Sequence, residues 1–498
     1  MSNPIKKLAG QTAIYGLSSI IGRFLNYLLV PLYVTVFIHT ADYGVVSELY
    51  AWIAFLIVLL TFGMETAFFK FLSDRPERKE KIFRNSMLSV LSVNFVFLSL
   101  VLVFNQQIAN KMLFHDNPEY IILLGLVVFI DAVSALPMAK LRAEEKTIKF
   151  ASIQLIGIGI NIGLNLFFML VLFDPETQNP EVGVRYIFIA NIAASLVKPI
   201  VLYKDYTSLR WIWDGKLIKA MIKYSLPLAI AGFAYVINET VDRILLKYLT
   251  YQSMLGEMTQ EAALTYAESQ VGIYSASYKL AMLITIFLQA FRYAAEPFFF
   301  AQAKNENRNE IYVKVMNYFV GIVLLFFLIV SLNLDIFKYF IPNPNYWEGL
   351  KIVPILLLAN VWSGVYVNQS IWYKLSGQTK YGALIAVWGA IFTITLNFLF
   401  IPIIGYMAAA WTTFAVYAGQ MIASYLLGQK HYPIPYNLKK FFLYISTAVV
   451  IFLVLKWINI EDNVYRFIVH NTLIILYFIL IYWAEKRTDG SLDKNTTA

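Results

Sequence analysis

Stretches of about twenty mainly apolar residues alternate with short polar breaks from Ile14 to Trp483. Because an α-helix rises about 1.5 Å per residue, roughly 20 residues cross the ~30 Å hydrocarbon core of a bilayer. The pattern predicts an all-α polytopic membrane protein with about 14 transmembrane helices. The predicted spans are 11–37, 44–71, 85–104, 120–138, 150–173, 185–203, 224–249, 271–291, 312–333, 350–372, 381–401, 405–427, 441–457 and 465–483.

The composition supports this class and narrows the chemistry. Of the 498 residues, 59% are hydrophobic and 14% are charged, which excludes a soluble globular protein. The chain has no cysteine, so disulfides, thiolate catalysis and cysteine-ligated metals are excluded, and we expect no cofactor. The longest predicted outer loops, about 105–119, 174–184, 250–270 and 334–349, are too short for an external catalytic domain. We therefore expect a function inside the membrane and no enzymatic activity.

Lysine and arginine accumulate in every second polar break. The basic breaks include 73–84, 140–149, 204–223 and 302–314, and both termini are basic too. The positive-inside rule then places both termini in the cytoplasm and requires an even number of spans. The net charge of +9 is explained by topology and by the anionic inner leaflet, so nucleic acid is not expected as a partner. The intervening breaks hold only Lys111, Arg185, Lys338 and Arg466.

A seven-residue motif recurs in the chain. The stretch GVVSELY at 44–50 returns as GIYSASY at 272–278, about 228 residues later. The register persists as far as Asn165 in span 5, which aligns with Asn397 in span 11. Spans 1–6 and 7–12 are thus predicted to form two six-helix lobes in parallel repeat, an arrangement in which transporters place a substrate cavity near the membrane midplane. The predicted parts are an N-lobe at 1–215, a C-lobe at 216–430, and a helix pair with a cytoplasmic tail at 431–498.

Basic residues within the spans are candidate substrate ligands. A charge at the bilayer centre costs about 2.5 to 3.5 kcal/mol or more and normally faces a cavity or a partner. Arg23, Arg243 and Lys279 are predicted to give a water-filled cavity a cationic lining for an anionic substrate, and Arg292 is a further candidate nearer the inner end. Residues close to span ends are interpreted instead as snorkelling to the interface. These are Lys70, Lys198 and Glu296 at the inner ends and Lys247 and Glu48 at the outer ends.

Acidic residues within the spans are candidates for ion coupling. Glu239 and Asp242 share a helix face with Arg243, and Asp131 and Glu65 lie deep in spans 4 and 2. We expect these carboxylates to compensate the cationic cavity and to titrate. The alternative is that Glu239 and Arg243 form an internally neutralised bridge along span 7 that only tolerates burial.

Several stretches resemble the polysaccharide (O-antigen type) flippases of the multidrug/oligosaccharidyl-lipid/polysaccharide exporter superfamily. The similarity extends over nearly the whole chain and begins with the opening from Ala9 to Gly44, which includes Arg23 and Pro31. The other stretches are Leu226 with Pro227, 238–243 (NETVDR), 271–281 (VGIYSASYKLA), 290–298 (AFRYAAEPF), Leu396 with Asn397, Ile401 with Pro402, and 405–411.

The resemblance implies a specific activity. Such flippases move undecaprenyl-diphosphate-linked oligosaccharide from the cytoplasmic to the periplasmic leaflet of the bacterial inner membrane by alternating access, for surface polysaccharides such as lipopolysaccharide O-antigen, commonly by proton or cation antiport. The family's basic residue in span 1 corresponds to Arg23, and its Asp/Arg pair in span 7 to Asp242 and Arg243. Span 11 offers Asn397 where sodium-using relatives have a carboxylate, so proton and sodium both stay open. The implied partners are the lipid-linked oligosaccharide, membrane lipid, the ion, glycosyltransferases and a polymerase.

Three alternatives remain. A drug/cation antiporter of the same superfamily normally has twelve spans and needs no cationic cavity. A major-facilitator transporter also has two six-helix repeats, and the segment 74–79 lies in the loop of its acidic-basic motif, but Lys70 and Glu77 replace the motif's glycines. An O-antigen polymerase or lipid-linked glycosyltransferase would need a large outer loop with catalytic groups.

The charge asymmetry predicts that the carboxyl terminus is cytoplasmic and that the loop after span 7 faces the periplasm. Reporter fusions at Ala498 and within 259–267 measure both. We expect a cytoplasmic signal from the first and a periplasmic signal from the second, and a periplasmic terminus would overturn the predicted topology.

Overall fold

The computed structural model describes residues 20–303, 305–458 and 460–495. The predicted cytoplasmic termini and the beginning of span 1 lie outside these residues. Within them, fourteen long helices correspond one to one to the predicted spans, which confirms the all-α class. The helices are α1 (Ile20–Val36), α2 (Thr40–Asp74), α3 (Pro76–Val103), α4 (Glu119–Ala143), α5 (Thr147–Leu172), α6 (Pro180–Val201), α7 (Gly215–Met254), α8 (Gln260–Gln302), α9 (Arg308–Leu332), α10 (Pro344–Leu375), α11 (Lys380–Ile404), α12 (Tyr406–His431), α13 (Leu438–Ile458) and α14 (Asn463–Asn495).

Twelve helices in the described part of the chain are long and apolar enough to cross a membrane. The exceptions among the fourteen are α1, which is shorter, and α12. Helix α12 spans 26 residues but buries polar side chains, including Thr412, Gln420 and Ser424, which lower its hydropathy. The chain is therefore a multi-pass membrane protein.

One predicted connection is wrong. The outer loop predicted at 250–270 is short, because α7 continues to Met254 and α8 begins at Gln260. The polar ends of these helices carry no hydropathy signal, so the sequence pattern underestimates their length.

Helix α2 is interrupted at Phe62 and Gly63, where φ is 35° and 70°. A Cβ on Gly63 would lie 2.9 Å from the main-chain oxygen of Ser225 in α7.

Contacts between Cα atoms divide the chain into two compact units. Among the described residues, those of 20–275 and 390–406 belong to unit 1, and those of 276–389 and 407–495 belong to unit 2. In unit 1, α3 packs on α4, α5 on α6, and α2 on α7. In unit 2, the C-terminal helices α13 and α14 both pack on α9. The six-helix lobes themselves stay a prediction from the repeat.

The two glycines of the repeated motif contact each other. A Cβ on Gly44 would lie 2.0 Å from the main-chain oxygen of Glu268, and a Cβ on Gly272 would lie 1.9 Å from that of Thr40. The contacts are reciprocal, since Thr40 and Glu268 each lie four residues before their glycine. A two-fold relation between equivalent segments produces this pattern. The α2 and α8 backbones can therefore approach only because both positions lack a side chain.

We predict that Gly44→Ala destabilises the protein by about 1 to 3 kcal/mol, the usual cost of overpacking, because the new methyl group meets fixed backbone. The matched control is Gly159→Ala in α5, where a Cβ meets nothing within 4 Å. That change should be neutral or stabilise by up to about 1 kcal/mol. Thermal unfolding of both variants in detergent measures the difference, and equal unfolding temperatures would contradict the close contact.

Candidate functional site

The second half of α7 carries a buried Asp–Arg pair. Asp242 is 3% exposed and Arg243 is 9% exposed. Nη1 of Arg243 donates to Oδ1 of Asp242 over 3.0 Å and to the main-chain oxygen of Glu239 over 2.8 Å. Both charged residues belong to one helix, so the pair stays together when α7 moves as a rigid body.

Tyr274 of α8 holds the Asp242 carboxylate from the other side. Its hydroxyl donates to Oδ2 of Asp242, and its ring lies 5.7 Å from the guanidinium carbon of Arg243. The main-chain N–H of Arg243 donates to Oδ1 of Asp242 over 2.9 Å, so three donors converge on one carboxylate. Because Tyr274 belongs to the repeated motif, the segment that brings α8 against α2 also positions the pair in α7.

Asn397 of α11 belongs to the same polar region. Oγ1 of Thr393 donates to Oδ1 of Asn238 over 3.0 Å, one turn before Asp242 in α7. Asn397 is fully buried, and its Nδ2 donates to the main-chain oxygen of Thr393 over 2.9 Å. Its Oδ1 has no hydrogen-bond partner, which leaves a buried acceptor oxygen one turn after Thr393 in α11.

The other two predicted coupling carboxylates have their own basic partners. Asp131 in α4 pairs with Lys198 in α6 at 2.7 Å, with 23% of each side chain exposed. Glu65 in α2 pairs with Arg142 at the end of α4. Lys198, which was interpreted as snorkelling, thus has a carboxylate partner in α4.

The remaining predicted substrate ligands have different surroundings. Arg23 in α1 is exposed and belongs to unit 1, whereas Lys279 and Arg292 lie in the part of α8 that belongs to unit 2. Lys279 is half-buried. Arg292 is exposed and lines a small pocket with Glu296 and Lys374, which pair with each other at 2.8 Å.

Lys247, Glu48 and Glu268 form a buried charge cluster that was not predicted from the sequence. Lys247 and Glu48 were expected to snorkel, but both side chains are 0% exposed. Nζ of Lys247 lies 2.8 Å from Oε2 of Glu48 and 3.1 Å from Oε1 of Glu268. The spacing of these residues could have indicated the cluster. Lys247 lies four residues after Arg243, and each glutamate lies one turn from a motif glycine.

Three lysines of the basic breaks on the predicted inner side are paired with acidic residues. Glu144 lies 2.8 Å from Lys79 and 2.6 Å from Lys146. Partial burial raises the pKa of Glu144, but the two ammonium groups outweigh burial and lower it to about 2. Lys81 pairs with Asp214 at 2.5 Å, and this bond lowers the pKa of Asp214. These lysines therefore do not form an open anion site.

The chain matches a known family in sequence. A family model described as "Polysaccharide biosynthesis protein" matches residues 8–301. No curated protein matches the sequence.

Solved structures match in fold. A structure described as "Lipid II flippase MurJ, inward closed conformation" has a TM-score of 0.70 at 14% identity, covering 96% of this chain and 99% of that chain. An inward-facing multidrug resistance MATE family transporter of the MOP superfamily has a TM-score of 0.60 at 14% identity, covering 81% of this chain and 93% of that chain. These likenesses show that the chain has the fold of these two transporters.

Proposed function

The chain belongs to the polysaccharide biosynthesis protein family, and we propose that it is a flippase for undecaprenyl-diphosphate-linked oligosaccharide in the bacterial inner membrane. The observation that carries this proposal is the buried Asp242–Arg243 pair in the second half of α7. A diphosphate cannot cross hydrocarbon unaided, so its carrier must present positive charge inside the membrane. The planar guanidinium of Arg243 suits phosphate oxygens, which it can hold with two parallel hydrogen bonds.

The neighbouring carboxylate explains how such an arginine can bind and release. While Asp242 is ionised, it competes with phosphate for Arg243, because its Oδ1 accepts from the guanidinium. Binding of a proton or a sodium ion at Asp242 would weaken this competitor. We therefore assign ion coupling to Asp242, with Glu239 one turn earlier in α7 and the buried oxygen of Asn397 in α11 as further candidates. The proposed mechanism is translocation by alternating access, without bond chemistry.

The main alternative is a drug/cation antiporter, which the likeness to the MATE transporter favours at the level of fold. That likeness covers 81% of this chain, whereas the likeness to the lipid II flippase covers 96%. The helix pair α13 and α14, packed on α9, also exceeds the twelve spans expected of a drug antiporter. In this proposal both termini lie in the cytoplasm. The functional partners are glycosyltransferases, which act before the flippase, and a polymerase, which acts after it.

The first test changes the proposed phosphate ligands. We predict that Arg243→Ala and Arg23→Ala each lower the flipping rate of lipid-linked oligosaccharide more than about tenfold, which corresponds to a loss of ~1.4 kcal/mol or more. Lysine at either position should restore only part of the rate, because it lacks the planar fork. The measurement is flipping in proteoliposomes at equal protein content, with the exposed Lys111→Ala as a control that keeps full activity. Normal flipping by both alanine variants would contradict the cationic site.

The second test separates coupling from binding. We predict that Asp242→Asn binds substrate but no longer responds to an imposed pH or sodium gradient, because the amide cannot titrate and carries no charge for a cation. Glu239→Gln should have a smaller effect in the same direction. The control is Asp174→Asn in the exposed loop after α5, which should flip and couple normally. Undiminished gradient-dependent flipping in both test variants would move the coupling site to Asp131 or Glu65.

A further inference from the structure

The Gly44–Gly272 contact and the buried charge cluster are parts of one structure. Glu48 follows Gly44 by one turn in α2, and Glu268 precedes Gly272 by one turn in α8. Lys247 of α7 lies between the two glutamates and contacts both. The three helices are thus joined at the predicted outer end by a backbone contact and by ion pairs.

The cluster is closed to water on most sides. The side chains of Lys247 and Glu48 are fully buried, and that of Glu268 is 14% exposed. The Lys247 ammonium lies 3.6 Å from the centre of the Phe114 ring, and Nε1 of Trp52 donates to Oε1 of Glu48 over 3.2 Å. Glu268 also lines an acidic pocket with Asp42, so it is the member of the cluster that can exchange protons with solvent.

The charges within the cluster do not balance. Two carboxylates surround one ammonium group, which leaves one negative charge in excess when all three are ionised. An uncompensated buried charge is strongly unfavourable, whereas one proton shared by the two carboxylates leaves a neutral cluster. Other titratable or charged groups lie on the surrounding elements. They are Tyr248 and the mutually paired Asp242 and Arg243 on α7, Asp42 on α2 with His39 just before that helix, His115 and Asp116 before α4, Glu119 and Tyr120 on α4, and Glu181 and Arg185 on α6.

Most of these neighbours cannot neutralise the excess charge. Arg185 is already paired with Glu119 at 2.8 Å and with Glu181 at 3.4 Å. Asp42 and Asp116 add negative charge to the pocket beside Glu268. The surroundings therefore favour a cluster in which one of the two carboxylates is protonated over a cluster in which both are ionised.

We propose that the Gly44–Gly272 contact and the cluster of Lys247, Glu48 and Glu268 form the outer gate, and that the closed gate holds one proton more than the open gate. This inference rests on the proposed alternating access. When α2 separates from α7 and α8, Glu48 leaves with α2 and becomes hydrated. Lys247 keeps the ionised Glu268 as its partner, so this remaining pair has no net charge. The open gate then needs no proton, so acid outside favours closure and alkali favours opening.

Spin labels can measure the gate directly, because the chain has no native cysteine. Ile38→Cys and Ala262→Cys place labels at exposed positions beside the outer ends of α2 and α8. Double electron–electron resonance in liposomes should give a short distance at acidic pH and a growing long-distance population as pH rises. The ratio of the two populations should change by at most about tenfold per pH unit, the slope of one proton.

Variants identify the proton site. Glu48→Gln keeps an oxygen for Trp52 and leaves a neutral Lys247–Glu268 pair, so we expect a short distance at every pH. Glu268→Gln should behave in the same way and serves as a second variant. Asp116→Asn, which removes a carboxylate from the same pocket but not from the cluster, should keep the pH response. A pH response that persists in both glutamine variants would overturn the assignment.

The same measurement separates the gate from the proposed function. Distances need no substrate, so a pH-dependent gate in a protein that flips no lipid-linked oligosaccharide would support the gate and overturn the flippase proposal. Normal flipping together with a distance that never changes with pH would overturn the proton-bound gate alone. Gly44→Ala should increase the long-distance population at every pH, and a distance distribution equal to that of Gly159→Ala would overturn the role of the glycine contact.

Discussion

The structure depends on how the charges of α7 are neutralised inside the membrane. This helix carries Glu239, Arg243 and Lys247 four residues apart, so they share one face. Arg243 is neutralised by its own neighbour Asp242, whereas Lys247 is neutralised by glutamates from α2 and α8. The Asp242–Arg243 pair stays intact when α7 moves as a rigid body, whereas the contacts of Lys247 change whenever α2 moves. A pair carried by one helix suits a substrate site that must persist through a transport cycle, and a pair formed between helices suits a gate.

The repeated motif links these two regions. Its glycine allows α2 and α8 to touch, its tyrosine Tyr274 holds Asp242, and Glu48 within the first copy holds Lys247. One short segment therefore combines close packing with polar contacts to α7. A change in the α2–α8 contact would alter the surroundings of both basic residues of α7 together, which is the physical connection that a coupled transporter requires.

Much of the fold could be predicted from the sequence. Crossing a bilayer requires long apolar helices, and a hydropathy profile detects such segments directly. The ends of α7 and α8 could not be predicted, because their polar turns resemble loops in a hydropathy profile. Lys247 and Glu48 were misread for a different reason. The position of a charge along a span indicates where it could reach water. It does not show a partner that is distant in the chain, such as Glu48, which lies 199 residues before Lys247. The Asp242–Arg243 pair was accessible to sequence reasoning because both members are neighbours.

The ion pairs at the two ends of unit 1 differ in strength. On the predicted inner side, Lys79 with Glu144 and Lys81 with Asp214 are partly exposed, with 40% and 41% of the lysine side chains accessible. Such pairs contribute about 0 to 1 kcal/mol each, because water competes for both partners. The Lys247 cluster is buried, and breaking a buried pair costs about 3 to 5 kcal/mol unless its charges are compensated. Opening at the outer end therefore needs a compensating event, and loss of the excess proton with retention of the Lys247–Glu268 pair supplies one.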